Sequence, residues 1–240
     1  MCAKCLFWTL LAASAVPAEV CNPAVLAGPY AFQLSGTTTI SGSPKPTASL
    51  GRIVLDGDGN VSGTASAMFS GFLLGNPVNG TYEAKPDCSI AWKLQDDSGA
   101  FQHFSGKYWA DGRRVEFQQS DPGGARKGIM VKTLEACTSA NLQPDYSFTV
   151  TGNTTPMNEV DVARSVSASG TVNVAANGSF QVQSDCSVLF RLTVPSQSSQ
   201  GSEPLPMNLR GFLVDDGKGI LAFQTDPGAM VAARLHSNTK

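Results

Sequence analysis

Two short runs carry the same side chains in the same order: QQSDPGG at 118–124 and FQTDPGA at 223–229. Each sets an amide two residues before a carboxylate, Gln119 before Asp121 and Gln224 before Asp226. Such a pair could orient a substrate or lock a turn. Proline pins φ near −65° and glycine accepts positive φ, so Asp-Pro-Gly reads first as a hairpin corner. Gln119 shares a strand face with Val115 and Phe117, which puts a polar group at the end of an apolar row. A buried amide needs a partner; backbone is the expected one, with water or a ligand as alternatives.

Other chemistry is sparse. DGDGN at 56–60 resembles the opening of a calcium loop, with oxygen ligands at alternate positions. Val61 stands where that loop needs glycine and Ala67 where it needs glutamate, so the run reads as a hairpin tip. Asp96 and Asp97 are neighbours on a turn, without surroundings that would separate their pKa values. His103 lies on the strand face opposite Phe104 and Tyr108, and His236 has no counterpart in the same register. No nucleophile elbow, His-Glu-x-x-His helix, phosphate loop or dinucleotide fingerprint occurs. The expectation is therefore a chain without catalytic residues, cofactor or metal. A net charge of −2 with scattered basic residues gives no field that would attract nucleic acid.

The first residues differ in character from the rest. Lys4 precedes the apolar run CLFWTLLAA (5–13), and small residues follow, with cleavage expected after Ala15 or Ala18. Residues 1–18 thus read as a secretory signal peptide, and the run is too short for an ordinary membrane span of about 20 residues. The spacing of Cys2 and Cys5 matches a redox motif but falls inside this segment. Cys21, Cys88, Cys137 and Cys186 remain, and four cysteines in an exported chain imply disulfides. The expected location is secreted, periplasmic or cell-surface.

The elements that must position these residues are duplicated. Cys21, Tyr30, Phe32 and Gly36 recur as Cys137, Tyr146, Phe148 and Gly152. NGTYEAKPDCSI (79–90) recurs as NGSFQVQSDCSV (177–188), and Gly106, Asp111, Gly112, Gln119 and Asp121 as Gly211, Asp216, Gly217, Gln224 and Asp226. The second copy is shorter in its first half. Two repeats follow, 21–135 and 137–236. Equivalent positions also pair the cysteines, giving Cys21–Cys88 and Cys137–Cys186.

Within each repeat the apolar period is two. Cys88, Ile90, Trp92 and Leu94 share one face, and Cys186, Val188, Phe190, Leu192 and Val194 do the same in the second copy, as half-buried strands require. Asn-Gly at 79–80 and 177–178 and Asp-Gly at 56–57, 111–112 and 216–217 mark hairpin turns. No stretch of the mature chain carries a 3.6-residue apolar stripe. The fold class is all-β: two tandem antiparallel meander barrels, with two β-sandwiches as the alternative. Ile220, Leu221, Ala222 and Phe223 are apolar on both faces, so this strand should lie against the first repeat or a partner chain.

The runs GPYAFQLSG, DGDGNVSG and GTYEAKPDC resemble the calycin-type barrels, such as lipocalins and allene oxide cyclase-like domains. They also resemble uncharacterised exported bacterial proteins with the same turn-and-strand pattern. The resemblance covers most of the first repeat and about half of the second. It implies a barrel and export, and carries no catalytic residue across.

Large aromatics are unequally shared. Trp92, Phe104, Tyr108, Trp109 and Phe117 lie in the first repeat, while Val214 and Ala222 stand where Trp109 and Phe117 would recur. An eight-stranded barrel either fills with side chains or holds one small ligand. The expected function is an exported tandem barrel that binds a small apolar molecule in the first repeat, at Trp92, Phe104, Tyr108, Phe117, Gln119 and Asp121. The alternatives are a structural or adhesive surface protein and, less favoured, a barrel isomerase or cyclase.

Overall fold

A computed structural model of the chain describes residues 20–40, 42–69, 72–96, 99–154, 164–194 and 205–237. The signal segment 1–18 and Asp97 lie outside the described residues. The architecture is all-β. In the first repeat β1 (Gly28–Ile40), β2 (Ser43–Leu55), β3 (Asn60–Phe69), β4 (Phe72–Ala84), β5 (Ser89–Gln95), β6 (Phe101–Tyr108), β7 (Arg114–Gln119) and β8 (Ala125–Lys132) close into an antiparallel barrel. Closure comes from β1, which pairs with β2 on one side and with β8 on the other. It leaves no edge strand to recruit other chains.

The second repeat contains β9 (Asp145–Thr154), β10 (Arg164–Asn173), β11 (Gln181–Val182), β12 (Ser187–Val194), β13 (Leu205–Val214), β14 (Gly219–Gln224) and β15 (Ala229–Ser237). They form one sheet in the order β10-β9-β15-β14-β13-β12-β11. β9 and β10 stand where β1 and β2 do. Phe148 packs under Gly170 as Phe32 packs under Gly51, since a Cβ on either glycine would come within 3 Å of the ring. No described strand takes the place of β3. A four-residue helix, α1 (Val174–Asn177), leads from β10 toward β11, started by Asn173 accepting from the Ala176 N–H and ended at Gly178 with φ of 65°. The shortening legible in the sequence thus falls on β3, which has no described counterpart, and on β4, whose counterpart β11 is only Gln181–Val182. Among the described residues β10 and β11 are the edges of an open sheet.

Equivalent locks hold one end of both repeats. Disulfides join Cys21 to Cys88 and Cys137 to Cys186. Cys88 and Cys186 both sit at φ of 66°, the left-handed position of the turn between β4 and β5 and of that between β11 and β12. A residue with a Cβ pays roughly 1–2 kcal/mol there. Asp87 and Asp185 support these turns by accepting from the N–H of Ser89 and Ser187. The Tyr30 hydroxyl donates to the Gly112 carbonyl, and the Tyr146 hydroxyl to that of Gly217. Repetition of these contacts explains why Cys, Tyr, Gly and Asp-Cys-Ser recur in sequence.

Between the repeats lies a third apolar cluster. Ala31, Ala48, Leu50, Met68 and Ile129 of the barrel pack against Phe212, Val214, Leu221 and Phe223 of the sheet. The alternate residues Ile220 and Ala222 face the core of the second repeat. β14 is therefore buried on both faces, as its composition requires. Polar contacts pin the orientation. Buried Gln33 donates to the carbonyls of Ala222 and Ala233 and accepts from Arg234, while Thr133 donates to Leu213. At the rim, the Arg113 guanidinium bridges Asp215 and Asp216, both at 2.6 Å. No helix among the described residues is long and apolar enough to cross a membrane.

Candidate functional site

The alternation of β5, β6 and β7 turns Trp92, Phe104 and Phe117 inward, and the three rings meet. Trp92 stacks on Phe104 with centroids 5.4 Å apart and meets Phe117 edge-on at 4.8 Å; Phe104 and Phe117 are edge-to-face at 5.8 Å. All three are buried. Such ring pairs contribute about 0.5–1.5 kcal/mol beyond their buried area. Inward glycines admit them: a Cβ on Gly128 would lie 2.9 Å from the Phe117 ring, and one on Gly106 2.8 Å from its Cβ. The space left between Phe32, Leu34, Ile53, Trp92, Leu94, Phe104, Phe117 and Met130 is about 10 Å³. That is about one water by the same measure. The middle of the barrel is filled.

Tyr108 is separate from this cluster's polar end. It is buried near the disulfide, and its hydroxyl donates to the Lys85 carbonyl at 2.7 Å. The pairing of Tyr108 with Val115 places it at the end of the barrel opposite Gln119, whose pair is Phe104.

Gln119 and Asp121 come together with His103, and with Gln102 and Arg126, which the sequence reading had not singled out. Gln119 donates through Nε2 to Asp121 Oδ2 at 2.9 Å, and Asp121 also accepts from the His103 backbone N–H at 2.9 Å. His103 Nδ1 lies 2.7 Å from Asp121 Oδ1, on the outer surface. Gln119 Oε1 accepts from Arg126 Nε at 2.8 Å, and Arg126 Nη2 donates to Gln102 Oε1 at 2.6 Å. The partners of Gln119 are thus the Asp121 carboxylate and a buried guanidinium, not backbone. Burial pushes Asp121 up, but the hydrogen bonds from Gln119 and His103 outweigh it and hold the carboxyl below its ordinary range.

The second repeat reproduces half of this arrangement. Gln224 donates to Asp226 at 2.7 Å, and Asp226 accepts from the N–H and the side-chain amide of Asn208. Val231 pairs with Gly152 as Arg126 pairs with Gly36, and Met207 stands where Gln102 would recur. Both are buried in an apolar core. With no arginine to donate to it, Gln224 Oε1 is buried without a hydrogen-bond partner. The repeated Gln-x-Asp-Pro-Gly is therefore a turn lock, common to both copies. Arg126 and Gln102 are additions peculiar to the first.

Beside them is a cavity of about 50 Å³, open to the barrel end and lined by Ser49, Ala65, Ala67, Asn76, Asp96 and Gln102 above an apolar floor of Phe32, Leu34, Val78, Leu94 and Phe104. The sequence did carry a signal for this site. Arg126, Gly128 and Met130 alternate on one face of β8, which places a cation in the same inward row as a core methionine.

Elsewhere, the Asp56 carboxylate accepts from the N–H groups of Asp58 and Asn60 and from the Asn60 amide, closing the tip between β2 and β3. His236 is exposed on β15, where it pairs with Gly219 within the sheet. Among the described residues no cluster of three or more His, Cys, Asp or Glu has the arrangement of a metal site. Compared with protein-family models and with curated proteins, the chain matches none.

Proposed function

We propose that this is an exported, disulfide-clamped protein, a β-barrel repeat followed by a β-sheet repeat, that serves as a rigid structural or adhesive element outside the cytoplasm. The observation that carries this reading is the filled first barrel. To enter the barrel, a fatty acid, sterol or pigment would have to drive Trp92, Phe104 and Phe117 apart, since the residual space among them is about 10 Å³. Drug-sized ligands ordinarily occupy pockets of about 300–1,000 Å³. The interface supports the same reading, since an apolar cluster and a bridging arginine make one body of two repeats. Two disulfides suit an oxidising compartment, and the leader-like segment 1–18 suits export.

Binding of a small apolar molecule is the competing reading, supported by the concentration of aromatics in the first repeat. A titration separates the two. Trp109 is 53% exposed, so a Trp109→Phe protein without the leader reports on buried Trp92 alone. Its emission should stay unchanged through titration with fatty acids, sterols and carotenoids. A saturable shift, with binding that Trp92→Leu weakens in a calorimetric titration, would contradict the structural reading and establish the apolar one.

A further inference from the structure

The two repeats serve as controls for each other. Both hold the corner after their seventh-position strand (β7 and β14) with the same amide–carboxylate lock, yet only the first adds Arg126, which is 4% exposed. The second repeat has Val231 in that place and keeps its lock, so the arginine is not required for the corner. A guanidinium withdrawn from water is costly unless paired with a carboxylate. Here both of its hydrogen bonds go to neutral amide oxygens, Gln119 Oε1 and Gln102 Oε1; the Asp121 carboxylate, held by Gln119, attracts it by charge but makes no ion-pair contact with it. Gln102 is also a wall of the open cavity, so the guanidinium lies one side chain behind that wall.

We propose that this end of the first barrel binds a short hydroxycarboxylate of about glycolate size. The incoming carboxylate takes over the Arg126 Nη2 bond now made by Gln102, exchanging a neutral acceptor for a charged one, which is the stronger partner for a guanidinium. Ser49 and Asn76 supply acceptors for the ligand hydroxyl, and Ala65 and Ala67 keep the cavity open by being small. A volume of about 50 Å³ matches roughly three to five waters, which limits the occupant to a handful of heavy atoms. The site goes beyond the structural role proposed above and does not depend on it, because the filled middle of the barrel is its floor.

The test is calorimetric titration of the intact mature chain with glycolate, lactate, acetate, phosphate and chloride. Saturable binding of glycolate, weaker binding of acetate and none of phosphate or chloride is the expected result. Arg126→Val, which installs the residue of the second repeat, should lower glycolate affinity roughly ten- to hundred-fold, the range for losing a charged hydrogen bond. Its unfolding midpoint should be no lower than that of the unaltered protein. Should that variant fail to fold, Arg126→Lys replaces it, since a point charge without the planar fork should still bind at least several-fold more weakly. Equal affinity in the folded variant, no saturation with glycolate, or phosphate and chloride binding as well as glycolate would each overturn the proposal.

Discussion

Replacing Phe223 by alanine should uncouple the repeats more than any other single truncation on β14. The ring is 3% exposed and packs in the cluster that contains Ala48, Leu50 and Met68 of the barrel. Phe-to-Ala changes at such sites cost about 3–5 kcal/mol, the transfer of the ring plus the cavity left behind. Barrel strands on one side and a continuous sheet on the other leave little freedom to collapse onto the gap, so the upper part of that range is expected. With a guanidinium m-value of about 4 kcal/mol per molar, the unfolding midpoint should fall by roughly 1 M. Because the loss falls between modules, a single transition should broaden or split into two, with near-UV and far-UV signals no longer coincident. Phe101→Ala is the control: that ring is 46% exposed and its removal should change stability by no more than about 0.5 kcal/mol. If Phe223→Ala and Phe101→Ala prove equally mild, the third cluster does not hold the repeats together.

Two more expectations concern the locks. Replacing Cys21 and Cys88 together by alanine opens a loop with a sequence separation of 67 and should cost about 4 kcal/mol on chain-entropy grounds, against nearly the same for Cys137 with Cys186 at 49; denaturation of each double variant checks this, and non-reducing peptide mapping of the unaltered chain should find only these pairs among the four cysteines. Burial pushes the Asp226 carboxyl up, but hydrogen bonds from Gln224 and Asn208 outweigh it and hold it below its ordinary range. Its stabilising contribution is thus complete above about pH 4 and lost as pH falls through the folded value. Asp226→Asn should cost about 1.5–3 kcal/mol at neutral pH and flatten the acid limb of the stability profile, measured by denaturation between neutral and acidic pH.

Much of this organisation was legible because it rests on periods and equivalences. Alternation at Cys88–Leu94 and Cys186–Val194 gave the inward faces, duplication gave the cysteine pairs, and the unbroken apolar run at Ile220–Phe223 gave a strand covered on both sides. The missing counterpart of β3 was visible only as a shortened stretch, since length does not say which neighbour a strand loses. Gln119 was read correctly as inward, but its partners depend on where the loop 120–124 returns and on Arg126 crossing the barrel end. Single-strand patterning does not report contacts between strands that a turn or a barrel closure brings together. The aromatic imbalance was equally legible. Whether those rings line a space or fill it depends on Gly106 and Gly128 on neighbouring strands, whose lack of Cβ atoms decides the fit.

Hydrogen exchange at the Trp92 indole N–H tests the filled barrel most directly. The ring is wedged between Phe104 and Phe117 and is 6% exposed, so water should reach it only on unfolding. The indole proton should therefore exchange as slowly as the most protected amides of β5, β6 and β7, with a denaturant dependence that follows global unfolding. Rapid, denaturant-independent exchange of the indole while those amides stay protected would mean a wet, accessible interior, and would contradict the account.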